Sequence, residues 1–263
     1  METTINGCKL SYQWQPKNDG PVILFLHGWG CDGSIFSFIQ NSLAEKASIL
    51  TVDFPGHGKS AEPPEPWGVP EYTAQILALL DELKIDRANV IAHSFGGRVA
   101  ICLSANHPER VDKMVITGGA GIRKPISDAQ KKRQQQFKRM NGFLNKLKKI
   151  SFLKSAVEKW QTALRNRYGS PDYIRLSENM RATFVKVINE DLLPLLPKIQ
   201  ASTLLIWGSA DTETPLWMGQ QMEKDIPDAG LVVFDGRSHF AFVEEWQRFV
   251  LIAKQFLLGG NEV

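Results

Sequence analysis

Short continuous apolar runs recur along this chain. Each ends at a turn, and stretches of helical period lie between them. Pro21-Val-Ile-Leu-Phe-Leu-His27, Ser48-Ile-Leu-Thr-Val-Asp53, Asn89-Val-Ile-Ala92, Val111–Thr117, Ser202–Gly208 and Gly230–Asp235 each read as a buried strand. Residues 5–14 read as a hairpin around Asn6-Gly7, and the proline-rich stretch 61–70 as a loop. Helical spacing places Ile76, Leu79, Leu80 and Leu83 on one side of a helix over 71–83. Arg98–His107 reads as a helix stopped by Pro108, and Glu244–Leu258 as a closing helix. This alternation predicts an α/β fold, a mostly parallel central sheet with helices on both faces. Ligands of such sheets bind beyond the carboxyl ends of the strands, where the glycine-rich turns of this chain fall.

At 263 residues the chain suits one large α/β domain carrying an insertion. Charge marks the insertion. Residues 121–200 hold 18 Lys and Arg against 6 Asp and Glu, while the remainder holds 13 against 22. The expected core domain is therefore 1–120 with 201–263. Within the basic segment, Phe137, Met140, Phe143, Leu144 and Leu147, then Val157, Trp160 and Leu164, follow helical spacing. That amphipathic pattern argues against a nucleic-acid groove binder. It also fits contact with an anionic membrane or a lipid-like substrate, although no stable membrane association is expected. No apolar run approaches the roughly 20 residues that span a bilayer. The N-terminus lacks the charged and apolar regions of a secretory signal, so a cytoplasmic protein is expected. Cys8, Cys31 and Cys102 are odd in number and widely spaced, which predicts neither a disulfide framework nor a metal site. No cofactor is implied, the expected partner is a small-molecule substrate, and the oligomeric state is open.

The chemistry starts at Ala92-His93-Ser94-Phe95-Gly96, a serine flanked two residues either side by small residues, between a strand and a helix. This is a variant of the G-x-S-x-G nucleophile elbow, in which a strained serine stands at the apex of a tight turn. A serine nucleophile needs a base, and the base needs an orienting acid. Asp211 follows the strand ending Trp207-Gly208, and His239 follows Gly236-Arg-Ser. Glu213 is the alternative acid, further from its strand end. His27 and His57 lie in upstream glycine turns and are expected to shape them. His93 is expected to point away from the nucleophile, and His107 ends a helix. Oxyanion donors are expected from the backbone N–H of Phe95, at a helix start, and of Trp29 in His27-Gly28-Trp29-Gly30. The Trp29 indole either walls an acyl pocket or simply packs.

Together with Asp53-Phe-Pro-Gly-His-Gly-Lys-Ser60 and His93-Ser94-Phe95-Gly96-Gly97, these pieces resemble the α/β-hydrolase superfamily. The nearest group is the capped serine esterases, C–C bond hydrolases and related lyases. The resemblance covers 5–120 and 200–258 and implies a Ser94-His239-Asp211 triad. It also implies a helical cap between the sixth and seventh strands, corresponding to 121–200. Ala92 departs from the usual elbow glycine. Serine, not aspartate, at position 94 argues against haloalkane dehalogenases and soluble epoxide hydrolases. The expected reaction is hydrolysis of a carboxylic ester through an acyl-enzyme. A C–C hydrolase or menaquinone-pathway-like lyase and a non-catalytic ligand receptor are the alternatives. Substrate-binding candidates are His27, Gly28, His93, Arg98 and Trp160. Arg98 and the basic segment either hold a substrate carboxylate or are simply solvated.

Overall fold

The computed structural model describes residues 1–125, 128–147, 154–168 and 171–259. Parts of the basic segment, 126–127, 148–153 and 169–170, lie outside the described residues. The strands are β1 (Glu2–Ile5), β2 (Cys8–Gln15), β3 (Val22–Leu26), β4 (Ser48–Asp53), β5 (Ala88–His93), β6 (Val111–Thr117), β7 (Ser202–Gly208) and β8 (Ala229–Phe234). The helices are α1 (Ser37–Leu43), α2 (Val69–Glu82), α3 (Phe95–Asn106), α4 (Asp128–Leu147), α5 (Lys154–Tyr168), α6 (Pro171–Arg175), α7 (Glu178–Asn189), α8 (Leu216–Asp225), α9 (Ala241–Glu244) and α10 (Trp246–Leu258).

Eight strands make one sheet in the order β1-β2-β4-β3-β5-β6-β7-β8. The pairs β1–β2 and β2–β4 are antiparallel, and every other neighbouring pair is parallel. The expected mostly parallel sheet with helices on both faces is what the chain forms. Its apolar runs are continuous because both faces are covered. Leu24, Leu26, Leu50, Val52, Val90, Ala92, Met114, Ile116, Leu205 and Trp207 face α2, α3 and α8. The alternate residues Ile23, Phe25, Ile49, Ile91, Val115 and Ile206 join Ile39, Leu43, Phe249, Ala253 and Leu257 of α1 and α10. The chain leaves β3 for β4 on one side and returns to β5 on the other, so β3 and β5 frame the switch point where such sheets bind ligands. Register carries the carboxyl ends along together: Leu26 pairs with Ala92, His93 with Thr117, Thr117 with Ile206.

Three elements differ from the sequence reading. Helix α2 starts at Val69, inside the stretch expected as loop, because Pro70 falls in its first turn, where the missing N–H has no intrahelical acceptor to lose. The helix after the serine starts at Phe95, three residues before Arg98, since the elbow feeds it directly and its Gly96 and Gly97 are fixed by close packing. The closing helix divides at Glu245, whose backbone is non-helical (φ −124°, ψ 48°) and whose carboxylate receives Arg237 and Arg248.

The chain forms two compact units, Met1–Arg123 with Val185–Val263, and Lys124–Phe184. In the second, α4 and α5 bury Leu144, Val157 and Leu164 with Phe137 and Leu147 beside them. In the first, the two ends that lead to the insertion are tied by a bond from Leu192 N–H to Gly121 O (2.9 Å).

Candidate active site

Ser94 stands between the last residue of β5 and the first of α3, half-buried, with φ 49° and ψ −109°. A serine pays steric strain of order 1–3 kcal/mol in such a conformation, so the surroundings must impose it. They do so through the backbone. Ser94 N–H donates to Thr117 O (3.2 Å), while Ser94 O accepts from Gly97 N–H (2.9 Å) and Ala120 N–H (3.0 Å). Gly96 is obligatory at this turn, because a Cβ there would lie 2.1 Å from the Leu26 carbonyl oxygen. The helix thereby presses directly on the end of β3. Ala92 takes the position of the usual first glycine without strain, buried in β5.

Asp211 and His239 follow the ends of β7 and β8. Gly208 lets the two loops touch: a Cβ there would lie 2.2 Å from Arg237 O, and Ala210 N–H donates to that same oxygen (2.9 Å). The result is a bond between His239 Nδ1 and Asp211 Oδ2 of 2.8 Å. The carboxylate is acceptor-only, so Nδ1 carries the proton and Nε2 is left as the basic nitrogen. Burial pushes the Asp211 carboxyl up, but His239 and the N–H and hydroxyl of Thr214 outweigh it and hold it below its ordinary value. Glu213, the alternative acid, is exposed and gives only its backbone N–H to Asp211 Oδ1 (2.9 Å). Among the described residues neither the Ser94 hydroxyl nor His239 Nε2 makes a hydrogen bond.

Thr214 escaped the sequence reading. Its buried hydroxyl lies 2.9 Å from Asp211 Oδ2, 2.9 Å from Gly118 O and 3.2 Å from His239 Nδ1, and its N–H reaches Asp211 Oδ1 at 2.8 Å. The Trp207 indole N–H holds the Thr214 carbonyl at 2.7 Å. An aspartate followed three residues later by threonine is a signal for this local backbone capping, read only once the acid is known. Gly118 matters equally. Its φ is +51°, and a Cβ would meet His239 Nδ1 at 3.1 Å.

The turn after β3 closes with Cys31 N–H donating to Gly28 O (3.1 Å), with Gly30 at φ +75°. Gly28 is packed on the elbow: a Cβ would fall 3.3 Å from Ser94 Cβ and 2.9 Å from His93 Cδ2. Trp29, half-buried, sets its ring edge-on to His57 and Phe95, with centroids 4.7 and 5.3 Å away. Phe95 N–H opens α3, in the first turn where amides lack intrahelical acceptors.

As substrate-binding candidates, His27 and His93 are corrected by their burial. His27 is fully buried, accepting from Phe54 N–H at Nε2 (2.9 Å) and donating from Nδ1 to Gly28 O (2.7 Å), so it scaffolds the turn. Burial lowers its pKa. His93 is equally buried, bonded through Nδ1 to Thr117 O (3.0 Å), with its ring 4.7 Å from those of His239 and Phe242. Burial drives its pKa down to about 3, and the nearby His239 adds to that, so it is neutral. His57 is likewise buried and lowered to about 4. Asp53 of the upstream motif is a brace, receiving Gly33 N–H (2.9 Å) and Lys59 N–H (3.0 Å).

Arg98 is buried and donates to Glu190 O (2.9 Å). Burial lowers it to about 10, opposed by Glu190 and Asp191. The Glu190 carboxylate in turn receives Val69 N–H at the start of α2 (3.0 Å). Through its bond to Glu190 O, Arg98 joins α3 to the residue that follows α7. Trp160 lies in the other unit, on α5, and is 54% exposed. Among the described residues no three His, Cys, Asp or Glu side chains converge as a metal site.

The sequence profile of the alpha/beta hydrolase fold family matches residues 21–245. A 2-hydroxy-6-oxononadienedioate/2-hydroxy-6-oxononatrienedioate hydrolase of Burkholderia vietnamiensis is 30% identical, over 96% of this chain and 92% of its own length. A pimeloyl-[acyl-carrier protein] methyl ester esterase of Chromobacterium violaceum is 28% identical, over 88% of this chain and 92% of its own. Among solved structures, the enol-lactonase of Burkholderia xenovorans superposes with a TM-score of 0.75 at 23% identity, covering 98% of this chain and 99% of its own. The chain belongs to the α/β-hydrolase fold family, and it is an enzyme of the hydrolase class.

Proposed function

We propose that this protein is a serine esterase of small-molecule substrates, working through Ser94, His239 and Asp211. The observation that carries the reading is the Asp211–His239 pair, bonded at 2.8 Å and set at the same carboxyl edge of the sheet as the strained Ser94. In this reading Ser94 Oγ attacks the ester carbonyl as His239 Nε2 takes its proton. Asp211 fixes the Nδ1–H tautomer and stabilises the imidazolium. The carbonyl oxygen, now negative, lies between the N–H groups of Phe95 and Trp29. As the tetrahedral species collapses, the C–O bond to the alcohol breaks and His239 returns the proton to the departing alkoxide. Water, deprotonated by His239, then attacks the acyl–Ser94 ester; the C–Oγ bond breaks, His239 returns the proton to Ser94 Oγ, and the acid is released. The Chromobacterium relative's naming as a methyl ester esterase agrees with this chemistry.

A second reading is favoured by the Burkholderia relative, named as a hydrolase of 2-hydroxy-6-oxo dienedioates. The same residues would then serve cleavage of a C–C bond beside a carbonyl. The test is hydrolysis of p-nitrophenyl esters from acetate to laurate by wild type and Ser94→Ala. Turnover that falls by about a thousand-fold or more in the variant is expected. Near-wild-type turnover by the variant would remove Ser94 as the nucleophile. Absence of ester turnover, with Ser94-dependent bleaching of a chromophoric dienone acid, would select the second reading.

A further inference from the structure

The Lys124–Phe184 unit carries 15 Lys and Arg against 4 Asp and Glu, while the rest of the chain is acidic, with 16 against 24. On this unit an apolar groove of about 380 Å³ runs between α4 and α5, lined by Met140, Phe143, Leu144, Trp160, Ala163 and Leu164. Leu144 and Leu164 form its buried floor. Met140, Phe143 and Trp160 stand out of it, 46, 62 and 54% exposed. Side chains of this size are normally covered, and a contiguous exposed group of them marks a docking surface.

The cations beside the groove are ordered. Helical geometry turns each residue by 100°, so Lys132, Arg139 and Lys146, spaced by seven, form one row along α4. That row lies about 20–60° from Phe143 around the helix, on the side away from Leu144 and Met140. Lys159 takes the corresponding place beside Trp160 and Ala163 on α5. All four side chains are exposed, and among the described residues none of them makes an ion pair. Protruding Phe, Trp and Met flanked by a row of lysine and arginine is the pattern of helices that lie in a bilayer interface. There the rings enter the acyl boundary and the cations meet anionic headgroups. No helix among the described residues is long and apolar enough to cross a membrane, so the contact is peripheral.

We infer that the α4–α5 face of this unit is a reversible docking surface for an anionic lipid bilayer, with Phe143 and Trp160 as apolar anchors and Lys132, Arg139, Lys146 and Lys159 as headgroup contacts. A fluid lipid surface suits this face better than a folded partner. Phe143, Trp160 and Met140 stand exposed above the floor of the groove, and the cation row beside them runs about 21 Å along α4 at 1.5 Å per residue, a length of positive charge that matches a continuous anionic surface. Each cation near such a surface favours binding, so reversing three charges reduces partitioning by well over tenfold. The inference is independent of the nucleophile, and the Ser94→Ala protein must dock as the wild type does.

The experiment is co-sedimentation of the full chain with vesicles of pure phosphatidylcholine and of phosphatidylcholine containing 30% phosphatidylglycerol, at 0.05 and 0.5 M NaCl. Docking only to the anionic vesicles, weakened by salt, is expected. Lys132→Glu/Arg139→Glu/Lys146→Glu loses at least tenfold, and Phe143→Ser loses a smaller, salt-insensitive part. Circular dichroism of each variant confirms its helix content. Equal partition to both vesicles, no sedimentation with either, or variants that dock like wild type would each overturn the inference. So would capture of an acidic protein by the same row with no vesicle binding.

Discussion

Replacing Thr214 by valine tests whether the acid–base pair is held by its surroundings or holds itself. Valine keeps the shape of the side chain and deletes only the hydroxyl. That hydroxyl lies 2.9 Å from Asp211 Oδ2 and 2.9 Å from Gly118 O, in a buried position. It has one proton, so in the variant one buried acceptor loses a donor and the carboxylate loses polar support. A hydrogen bond to a charged group is worth about 1.5–3 kcal/mol. At about 2–4 °C per kcal/mol for a domain of this size, the melting temperature should fall by about 3–12 °C. Stability alone does not distinguish positioning from packing, so the pH profile of kcat/KM is the deciding assay. With less support, the Asp211 carboxylate becomes more basic and draws the His239 proton more strongly. In the proposed esterase reading the acid limb of that profile should then move to higher pH. At the same time kcat should fall more than KM changes, and Thr214→Ser should restore the limb. A valine variant whose acid limb and kcat match the wild type would refute the reasoning, whatever its melting temperature.

Two further outcomes follow from burial. Gly96→Ala places a Cβ 2.1 Å from the Leu26 carbonyl oxygen, a backbone atom that cannot swing aside, so a loss of at least about 3 kcal/mol is expected in thermal melts. His57 is buried and neutral, its pKa lowered from 6.5 to about 4, so the unfolded chain binds more protons between those values. Its contribution to stability is complete above pH 6.5 and is lost as pH falls towards 4, by about 3 kcal/mol at 1.4 kcal/mol per unit. Urea unfolding at pH 7 and 4.5 should show this loss, and His57→Phe should reduce it.

Strands, their order along the chain and the three turns of the candidate site were legible in the sequence. Apolar runs of four to seven residues closed by turns have few other meanings, and the elbow needs small residues that survive as a pattern. Asp211 and His239 were legible for the same reason: each follows a strand end closely, so position along the chain nearly equals position in space. Thr214 was not, since its role rests on a hydroxyl meeting Asp211, His239 and Gly118 O from three separate loops. Nor was the fate of Arg98 and His27. An arginine after a nucleophile reads as a ligand contact, and a histidine in a glycine turn as either a ligand contact or a brace of that turn; only packing shows one guanidinium donor given to Glu190 O and both His27 nitrogens given to the backbone. Local sequence determines periodicity, turn geometry and where charge gathers, because each depends on neighbours a few residues away. Which polar groups stay free for chemistry depends on which are consumed by distant backbone, and that only the tertiary structure decides.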